Sequence, residues 1–382
     1  MNPLRGPPAF SSASASHRHC GDRVKSADPA TVDSFFKEDS SGVKSDDEGN
    51  VPGNINNNSA ANITTSNYLL QQRVSQEEKI FFGRLSAGYG YDSNATFGPS
   101  ANTVNMFGSE VILSQSRQEN SDNLTSLNAL LGYKKNVTDK VSLFGNFSGN
   151  RNIYNRTEAS NNQYMNLTQG GDFIVSDNVK LSLSGYYSNF NFSDTYDYDS
   201  RMLSMYGMAP KLSIKLSRHL GYNVFANIAR KLFHNHDTFT TLEDRNAKSY
   251  SLGNSIVFRD INQIGLYTAD AGATYGKDSA SVDNWSYNSY SGFTSFSQRF
   301  LKNRAGFKVA FNYTAYKYQA ADNIFATYAR HTDAIITSAI LDYKITRNID
   351  ASITYRNQKN DSNVSMYDFT RQVVLGTIGV NF

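Results

Sequence analysis

Few side chains in this sequence have the types and spacing that catalysis or metal binding requires. His234 and His236, followed by Asp237, could bind a metal ion through imidazole and carboxylate groups. Two histidines one residue apart in a polar stretch are, however, more often simply solvated. The sequence also lacks the motif of a serine nucleophile elbow and a glycine-rich phosphate loop. We therefore expect no enzymatic activity.

A group of carboxylates is the second candidate for metal binding. Asp194, Asp197 and Asp199 could offer oxygen ligands to calcium, which prefers such donors. The glycine and the final glutamate that define an EF-hand loop are missing. A solvated acidic loop explains the group better, so we predict no metal site and no cofactor.

Many other charged residues lie in segments where every second residue is apolar. Clear examples are Val179–Gly185, Phe307–Tyr313 and Ile349–Arg356. Alternation with a period of two is typical of β-strands that have one apolar and one polar face. The composition agrees, because 24 Tyr, 24 Phe and 26 Gly against only 7 Pro favour strands and turns.

The connections between these segments alternate in length. Short turn signals occur at Asn136–Lys140, Ser176–Asn178, Ser217–Gly221, Arg259–Gln263, Lys302–Ala305 and Thr346–Asn348. Longer polar segments lie between them, at Gln118–Asn123, Asn155–Asn162, Ser193–Ser200, His234–Asn246, Lys277–Asn284, Ala320–His331 and Lys359–Tyr367. Transmembrane barrels show this alternation, with short periplasmic turns and long outer loops, whereas a soluble sandwich has no reason to do so.

The sequence therefore predicts an all-β fold, a transmembrane antiparallel up-and-down β-barrel of about 14–16 strands that covers residues 79–382. Fourteen strands can be counted from about Asn105, and Lys79–Asp92 adds a fifteenth. Bacterial single-chain barrels have even strand numbers. Either Lys79–Asp92 pairs with a further strand to give sixteen, or two early segments merge to give fourteen, and the ambiguity lies in Ser93–Thr103.

In such a barrel the strand-borne charges are expected to face the interior, since Arg or Lys facing lipid at mid-depth costs about 2–4 kcal/mol. The predicted pore-lining residues are Arg84, Glu110, Lys134, Asp172, Lys180, Lys211, Lys215, Asp270, Arg299, Lys308, Asp342, Lys344, Asp350 and Arg356. Two interpretations stay open. The charges form a mildly cationic pore for anionic solutes or polymers, or they pair with one another and fill the lumen.

The N-terminal part of the chain has a different character. Residues 1–75 are rich in Ser, Asn, Asp and Ala and have little apolar surface, which predicts a disordered tail. No stretch approaches the roughly 18 apolar residues of a transmembrane helix. Met1–Gly21 also lacks the apolar core of an export signal. We expect either that the start is assigned in the wrong place or that the sequence is a piece of a longer chain.

The end of the chain carries the sharpest local signal. Ile378, Val380 and the terminal Phe382 fall on one face of the last predicted strand. A final aromatic residue on an alternating strand resembles the signal that the barrel-assembly machinery recognises, so we expect that machinery to be a partner.

Two short segments resemble known barrel families. Gly88-Tyr89-Gly90-Tyr91-Asp92-Ser93-Asn94, followed by Gly98-Pro99, resembles a first-strand motif, and the closing hairpin with Asn360-Asp361-Ser362-Asn363 and Tyr367-Asp368-Phe369-Thr370-Arg371 is similar too. The families are the β-barrel porins associated with exopolysaccharide loci and the barrel domains of surface lipoprotein assembly modifiers. The helical repeats that often precede these barrels are missing here.

The sequence as a whole thus predicts a channel in the bacterial outer membrane that passes small solutes or a surface polymer. The alternative is a barrel that delivers surface lipoproteins or displays loops for adhesion. Expected partners are outer-membrane lipid and an anionic solute or polysaccharide. The net charge of +3 gives no reason to expect binding to nucleic acid.

Overall fold

The computed structural model describes residues 81–113, 118–192, 201–233, 245–261, 265–322 and 325–382. The predicted tail, residues 1–75, lies outside the described residues. No helix in the described ranges is long and apolar enough to cross a membrane. The helices that they contain are three single 3-10 turns, Glu158–Ser160, Asp283–Trp285 and Ser365–Tyr367.

The described residues form sixteen β-strands, of which fourteen close into one barrel. In chain order the strands are β1 (Phe81–Asp92), β2 (Thr103–Met106), β3 (Ser109–Ile112), β4 (Asp122–Thr138), β5 (Val141–Tyr154), β6 (Asn162–Ser176), β7 (Val179–Phe192), β8 (Arg201–Lys215), β9 (Leu220–Phe233), β10 (Ala247–Ile261), β11 (Leu266–Ala280), β12 (Tyr287–Phe300), β13 (Ala305–Ala321), β14 (Ala329–Lys344), β15 (Ile349–Ser362) and β16 (Phe369–Asn381).

Each barrel strand pairs antiparallel with its neighbours in the chain, as expected of an up-and-down barrel. The ring closes where β1 pairs with β16, with Ala87 opposite Ile378. Closure leaves no free sheet edge, so all strand backbone groups can pair within the wall, which a lipid environment requires. The predicted all-β transmembrane barrel is therefore confirmed.

The two ends of the barrel differ in their connections. At one end, the turn end, short turns join the strands at residues 139–140, 177–178, 216–219, 301–304 and 345–348, and only residues 262–265, of which 262–264 lie outside the described residues, separate β10 from β11. At the other end, the loop end, the connections are 93–121, 155–161, 193–200, 234–246, 281–286, 322–328 and 363–368. The first strand, β1, begins at the turn end, and the last strand, β16, ends there. The alternation predicted from the sequence is confirmed.

One prediction about the early strands is wrong. The residues after Thr103 do not contribute a barrel strand, because β2 and β3 pair only with each other in a separate hairpin. The barrel has fourteen strands because this hairpin lies outside the wall, and not because two early segments merge. Glu110 belongs to β3 and is exposed, so it is not on the barrel wall.

The two faces of the wall have opposite character. Large apolar side chains such as Leu131, Leu252, Ile353 and Ile378 point outward and are 45–61% exposed. Polar and charged side chains point inward and are mostly buried. An apolar outer surface around a polar interior is the architecture of bacterial outer-membrane barrels. It confirms the predicted location in the outer membrane.

Candidate functional site

The candidate site is the inner wall of the barrel, where the structure places most of the predicted residues. Ten of them are buried: Arg84, Lys134, Asp172, Lys211, Asp270, Arg299, Lys308, Asp342, Asp350 and Arg356. Lys180 and Lys344 are half-buried, and Lys215 is exposed beside a turn. Only Glu110 falls outside the wall, on the hairpin.

The inward charges concentrate near the turn end, where two ion pairs have the same construction. Arg84 of β1 bonds Asp350 of β15 at 2.7 Å, reaching across β16. Arg299 of β12 bonds Asp342 of β14 at 2.5 Å, reaching across β13. Each guanidinium passes over a glycine of the intervening strand.

Those two glycines are Gly379 and Gly306, and a Cβ atom on either would stand 2.9 Å or less from the arginine. The absence of a side chain there lets the arginines lie flat against the wall. Each pair therefore connects three neighbouring strands, and its side chains do not project towards the barrel axis.

Large inward aromatic rings are accommodated in the same way. Phe225 faces Gly253 and Phe293 faces Gly272, each directly across its ladder. A Cβ on Gly253 would lie 2.5 Å from the Phe225 ring, and one on Gly272 would lie 2.4 Å from the Phe293 ring. Further glycine–aromatic pairs of this kind are Phe82 with Gly132, Phe144 with Gly170 and Tyr186 with Gly207.

The acids of the inner wall are held by neighbouring donors. Asp172 accepts a hydrogen bond from Ser182 at 2.6 Å and lies 3.7 Å from Lys180. Asp270 accepts one from Ser295 across the β11–β12 ladder. Of the thirteen predicted residues on the wall, nine are cations and four are acids. Pairing therefore leaves an excess of positive charge.

An uncharged polar patch on β4–β6 was not predicted. The Asn150 amide donates to Asn128 at 2.8 Å and to Ser126 at 3.0 Å, and the Asn152 amide donates to Asn162 at 3.0 Å. All of these side chains are buried on the inner wall. The sequence does carry a signal, since Asn occupies the alternate positions 150 and 152, but an uncharged side chain gives no electrostatic reason to assign it to the interior.

A cluster at the loop end joins the two segments that carried the family resemblance. Arg371 of β16 donates three hydrogen bonds to Asp92 of β1, two from Nε and one from Nη2, at 2.7–3.0 Å. The Tyr154 hydroxyl also donates to Asp92, at 2.8 Å. Phe97 packs edge-on against Phe369, and the Arg371 guanidinium lies 4.2 Å from the Phe97 ring centre. We name Asp92, Tyr154 and Arg371 the seam cluster, because it lies where the barrel closes.

The loop end also carries a cap made from three loops. Val104 on β2 and Leu113, which follows β3, pack against Phe325 and against Val364 and Tyr367. The Phe107 amide donates to the Phe325 carbonyl oxygen at 2.9 Å. We name this group of the hairpin and the loops 325–328 and 363–368 the loop cap.

An arginine anchors the loop cap to the wall. Arg330 lies between the rings of Tyr318 and Tyr367, 3.8 and 3.9 Å from their centres. Asp368 follows Tyr367 in the chain, and its pKa is raised by burial and by the nearby charge of Asp361. The cap thus joins the hairpin to the β13–β14 and β15–β16 loops.

The candidate metal ligands are not tested by these contacts. His234, His236 and Asp237, and also Asp194, Asp197 and Asp199, lie outside the described residues. Within the described ranges, no group of three His, Cys, Asp or Glu side chains is arranged to hold a metal ion.

No family model matches the sequence, and no curated protein matches it. Among solved structures, a FadL homologue of Pseudomonas aeruginosa is similar, with 9% identity and a TM-score of 0.44 over 80% of this chain and 90% of that one. A bacterial polysaccharide outer-membrane secretin is similar too, with 9% identity and a TM-score of 0.39 over 80% of this chain and 100% of the other. OmpF of Salmonella typhi in complex with daunomycin has 13% identity and a TM-score of 0.38 over 79% and 97%. Likenesses this distant carry no argument about function, and the family resemblance stays a prediction.

Proposed function

We propose that this barrel is an outer-membrane channel that favours anionic solutes. The observation that carries the proposal is the excess of cations over acids among the thirteen predicted residues of the inner wall. Lys134, Lys211 and Lys308 are 8%, 2% and 7% exposed and stand on three separate strands around the turn end. A wall with one dominant sign of charge and low-dielectric surroundings raises the local concentration of the opposite ion.

The rigid layer of paired charges supports this role. Because Arg84 and Arg299 lie along the wall with their acids, they neutralise Asp350 and Asp342. The six predicted lysines of the wall outnumber Asp172 and Asp270, and this excess determines the sign of the field that a passing ion meets. An anion that passes the turn end would be attracted by this net positive charge.

Ion selectivity in planar bilayers tests the proposal. The purified, refolded barrel is expected to give stepwise currents, and a KCl gradient is expected to give a reversal potential of the sign of chloride permeation. Replacing Lys134, Lys211 and Lys308 by Gln should move the reversal potential towards cation selectivity. The matched control replaces Lys140, Lys302 and Arg304, which are exposed in the turns, and should leave it nearly unchanged.

Two outcomes count against the channel. A complete lack of stepwise current would contradict the proposal that the barrel is a channel. A cation-selective wild type would contradict the proposed preference for anions. Export of an anionic polysaccharide would be a special case of the same channel. The alternative is delivery of surface lipoproteins or adhesion through the loops. It would be favoured if the barrel did not conduct and if deletion of its loops abolished delivery or adhesion.

We also propose that the barrel-assembly machinery recognises the end of β16. Ile378, Val380 and Phe382 all point outward and are 61%, 48% and 56% exposed. Phe382 forms backbone hydrogen bonds of 3.0 Å with Gly83 in both directions, which places it at the closing edge of the barrel.

A further inference from the structure

Four cations form a band on the outer surface near the loop end. Arg230 of β9, Lys248 of β10, Lys277 of β11 and Lys317 of β13 all point outward and are exposed. None of the four has an ion-pair partner among the described residues. The described outward faces of β9–β13 near the loop end also carry no acidic residue. Outward acids on the neighbouring strands are Asp333 of β14 and Asp361 of β15, and Asp283 is exposed in the 281–286 connection.

Strand register makes this band continuous. Lys248 is directly opposite Arg230 in the β9–β10 ladder. Asn288 of β12 lies between Lys277 and Lys317, directly opposite each of them. Like charges that face each other across a ladder destabilise a sheet. An anion that lies against this surface would therefore relieve the repulsion between Arg230 and Lys248.

Tyrosines lie beside the band and indicate its depth. Lys277 is directly opposite Tyr250, and Tyr275 packs against Tyr290 with ring centres 5.3 Å apart. The Lys317 ammonium is 5.7 Å from the centre of the Tyr290 ring, and the Tyr275 hydroxyl donates to Asn288 at 3.2 Å. Exposed tyrosines of this kind form the aromatic girdle at the membrane interface. The four cations thus stand at the level of lipid headgroups.

We propose that this band binds the phosphate groups of the glycolipid in the outer leaflet of the outer membrane. The leaflet around the loop end consists of lipid whose headgroup carries phosphates on a sugar core. Lysine and arginine are the side chains that recognise phosphate. Four cations on adjacent parts of one surface can contact the two phosphates of one such headgroup, while Tyr250, Tyr275 and Tyr290 contact its sugars and the start of its acyl chains.

The experiment measures the thermal unfolding of the full-length refolded barrel in detergent, followed by its heat-modifiable mobility on gels. Diphosphorylated lipid A is the probe, with dephosphorylated lipid A and inorganic phosphate as parallel arms. We expect lipid A to raise the unfolding temperature of the wild type by several degrees, and the two other probes to leave it unchanged. A rise of equal size with dephosphorylated lipid A would show that acyl chains alone are bound and would overturn the proposal. If only inorganic phosphate raised the unfolding temperature, the band would bind a free anion and not the lipid, which would also overturn the proposal.

The variant that tests the residues combines Arg230→Gln, Lys248→Gln, Lys277→Gln and Lys317→Gln. Its unfolding temperature without lipid should equal or exceed that of the wild type, because the repulsion is removed. The shift with lipid A should fall to less than a third. The control variant with Lys140, Lys302 and Arg304 replaced by Gln, at the opposite end, should keep the full shift.

An undiminished shift in the four-residue variant would overturn the proposal. Because these residues do not line the lumen, conductance should not change, so this result is independent of the channel proposal.

Discussion

The ring of Phe225 lies directly over Gly253, its partner across the β9–β10 ladder. The ring is buried, although it points into the barrel, because it covers the neighbouring strand and packs with Phe293. An aromatic ring over a strand glycine regains the packing that the glycine lacks. Glycines on the inner wall therefore control how far large side chains project into the lumen.

Gly253→Val is expected to lower the unitary conductance of the channel. A Cβ at this position would stand 2.5 Å from the Phe225 ring, so the ring must turn towards the lumen. Overpacking of this kind costs about 1–3 kcal/mol, which a fourteen-stranded barrel should tolerate. Single-channel recording in planar bilayers measures the effect.

The control for this substitution is Gly292→Val. Gly292 lies on β12, and a Cβ there would meet no atom within 4 Å. Its conductance should equal that of the wild type. If Gly253→Val also conducts as the wild type does, Phe225 has moved along the wall instead of into the lumen.

Arg371→Leu is expected to destabilise the barrel at its seam. Arg371 pairs with Asp92, whose side chain is fully buried. Removing one partner of a buried ion pair costs about 3–5 kcal/mol because the other charge stays without compensation. Unfolding by urea in detergent micelles measures the loss. The double variant Asp92→Asn, Arg371→Leu should recover part of it, and a cost equal to the sum of the two single variants would show that the pair is not coupled.

Val104→Asp is expected to release the hairpin from the loop cap. Val104 is 2% exposed and packs against the loops of 325–328 and 363–368. Full burial of a Val side chain is worth about 1.5–3 kcal/mol, and an ionised carboxylate in its place adds a desolvation cost. Protease added to intact cells should then cut the hairpin faster. Val111→Asp is the control, since Val111 lies on the same hairpin and is 37% exposed. Equal cutting in both variants would show that Val104 does not hold the hairpin down.

The fold could be predicted because local pattern is enough for a barrel of this kind. Alternation set the inward face of β7, where Lys180 and Ser182 point inside, and the turn after Ser176 placed the next strand. The hairpin Thr103–Ile112 was misassigned because four-residue strands in a loop show the same alternation as the start of a wall strand. Alternation of apolar and polar residues indicates which side chains share one face of a strand, but it does not indicate which strand that strand pairs with.

The contacts of the site could not be predicted, since they depend on register between strands that are not neighbours in the chain. The sequence places Arg84 inside the barrel, but its partner Asp350 lies two strands away through the closing seam. The passage of Arg84 over Gly379 depends on that same register. The sign of the net charge on the inner wall can be predicted from which residues alternate inward along each strand. The ion pairs can be predicted only when the order and register of the strands in the closed barrel are known.

Phe382→Ala is expected to slow assembly in cells while leaving the intrinsic folding of the barrel nearly unchanged. The Phe382 ring is 56% exposed and its position is fixed by backbone hydrogen bonds to Gly83, which the substitution keeps. The ring also lies over Gly83, so it makes one packing contact within the chain, but more than half of its surface is free for recognition by the assembly machinery. Leu341→Ala is the control, because Leu341 is also outward and 53% exposed but lies on β14. Pulse-labelling of cells should show heat-modifiable protein accumulating several-fold more slowly for Phe382→Ala than for Leu341→Ala, and refolding into lipid vesicles should show the two at equal rates. A refolding defect in vesicles as large as that in cells would mean that Phe382 acts by closing the seam and not as an assembly signal.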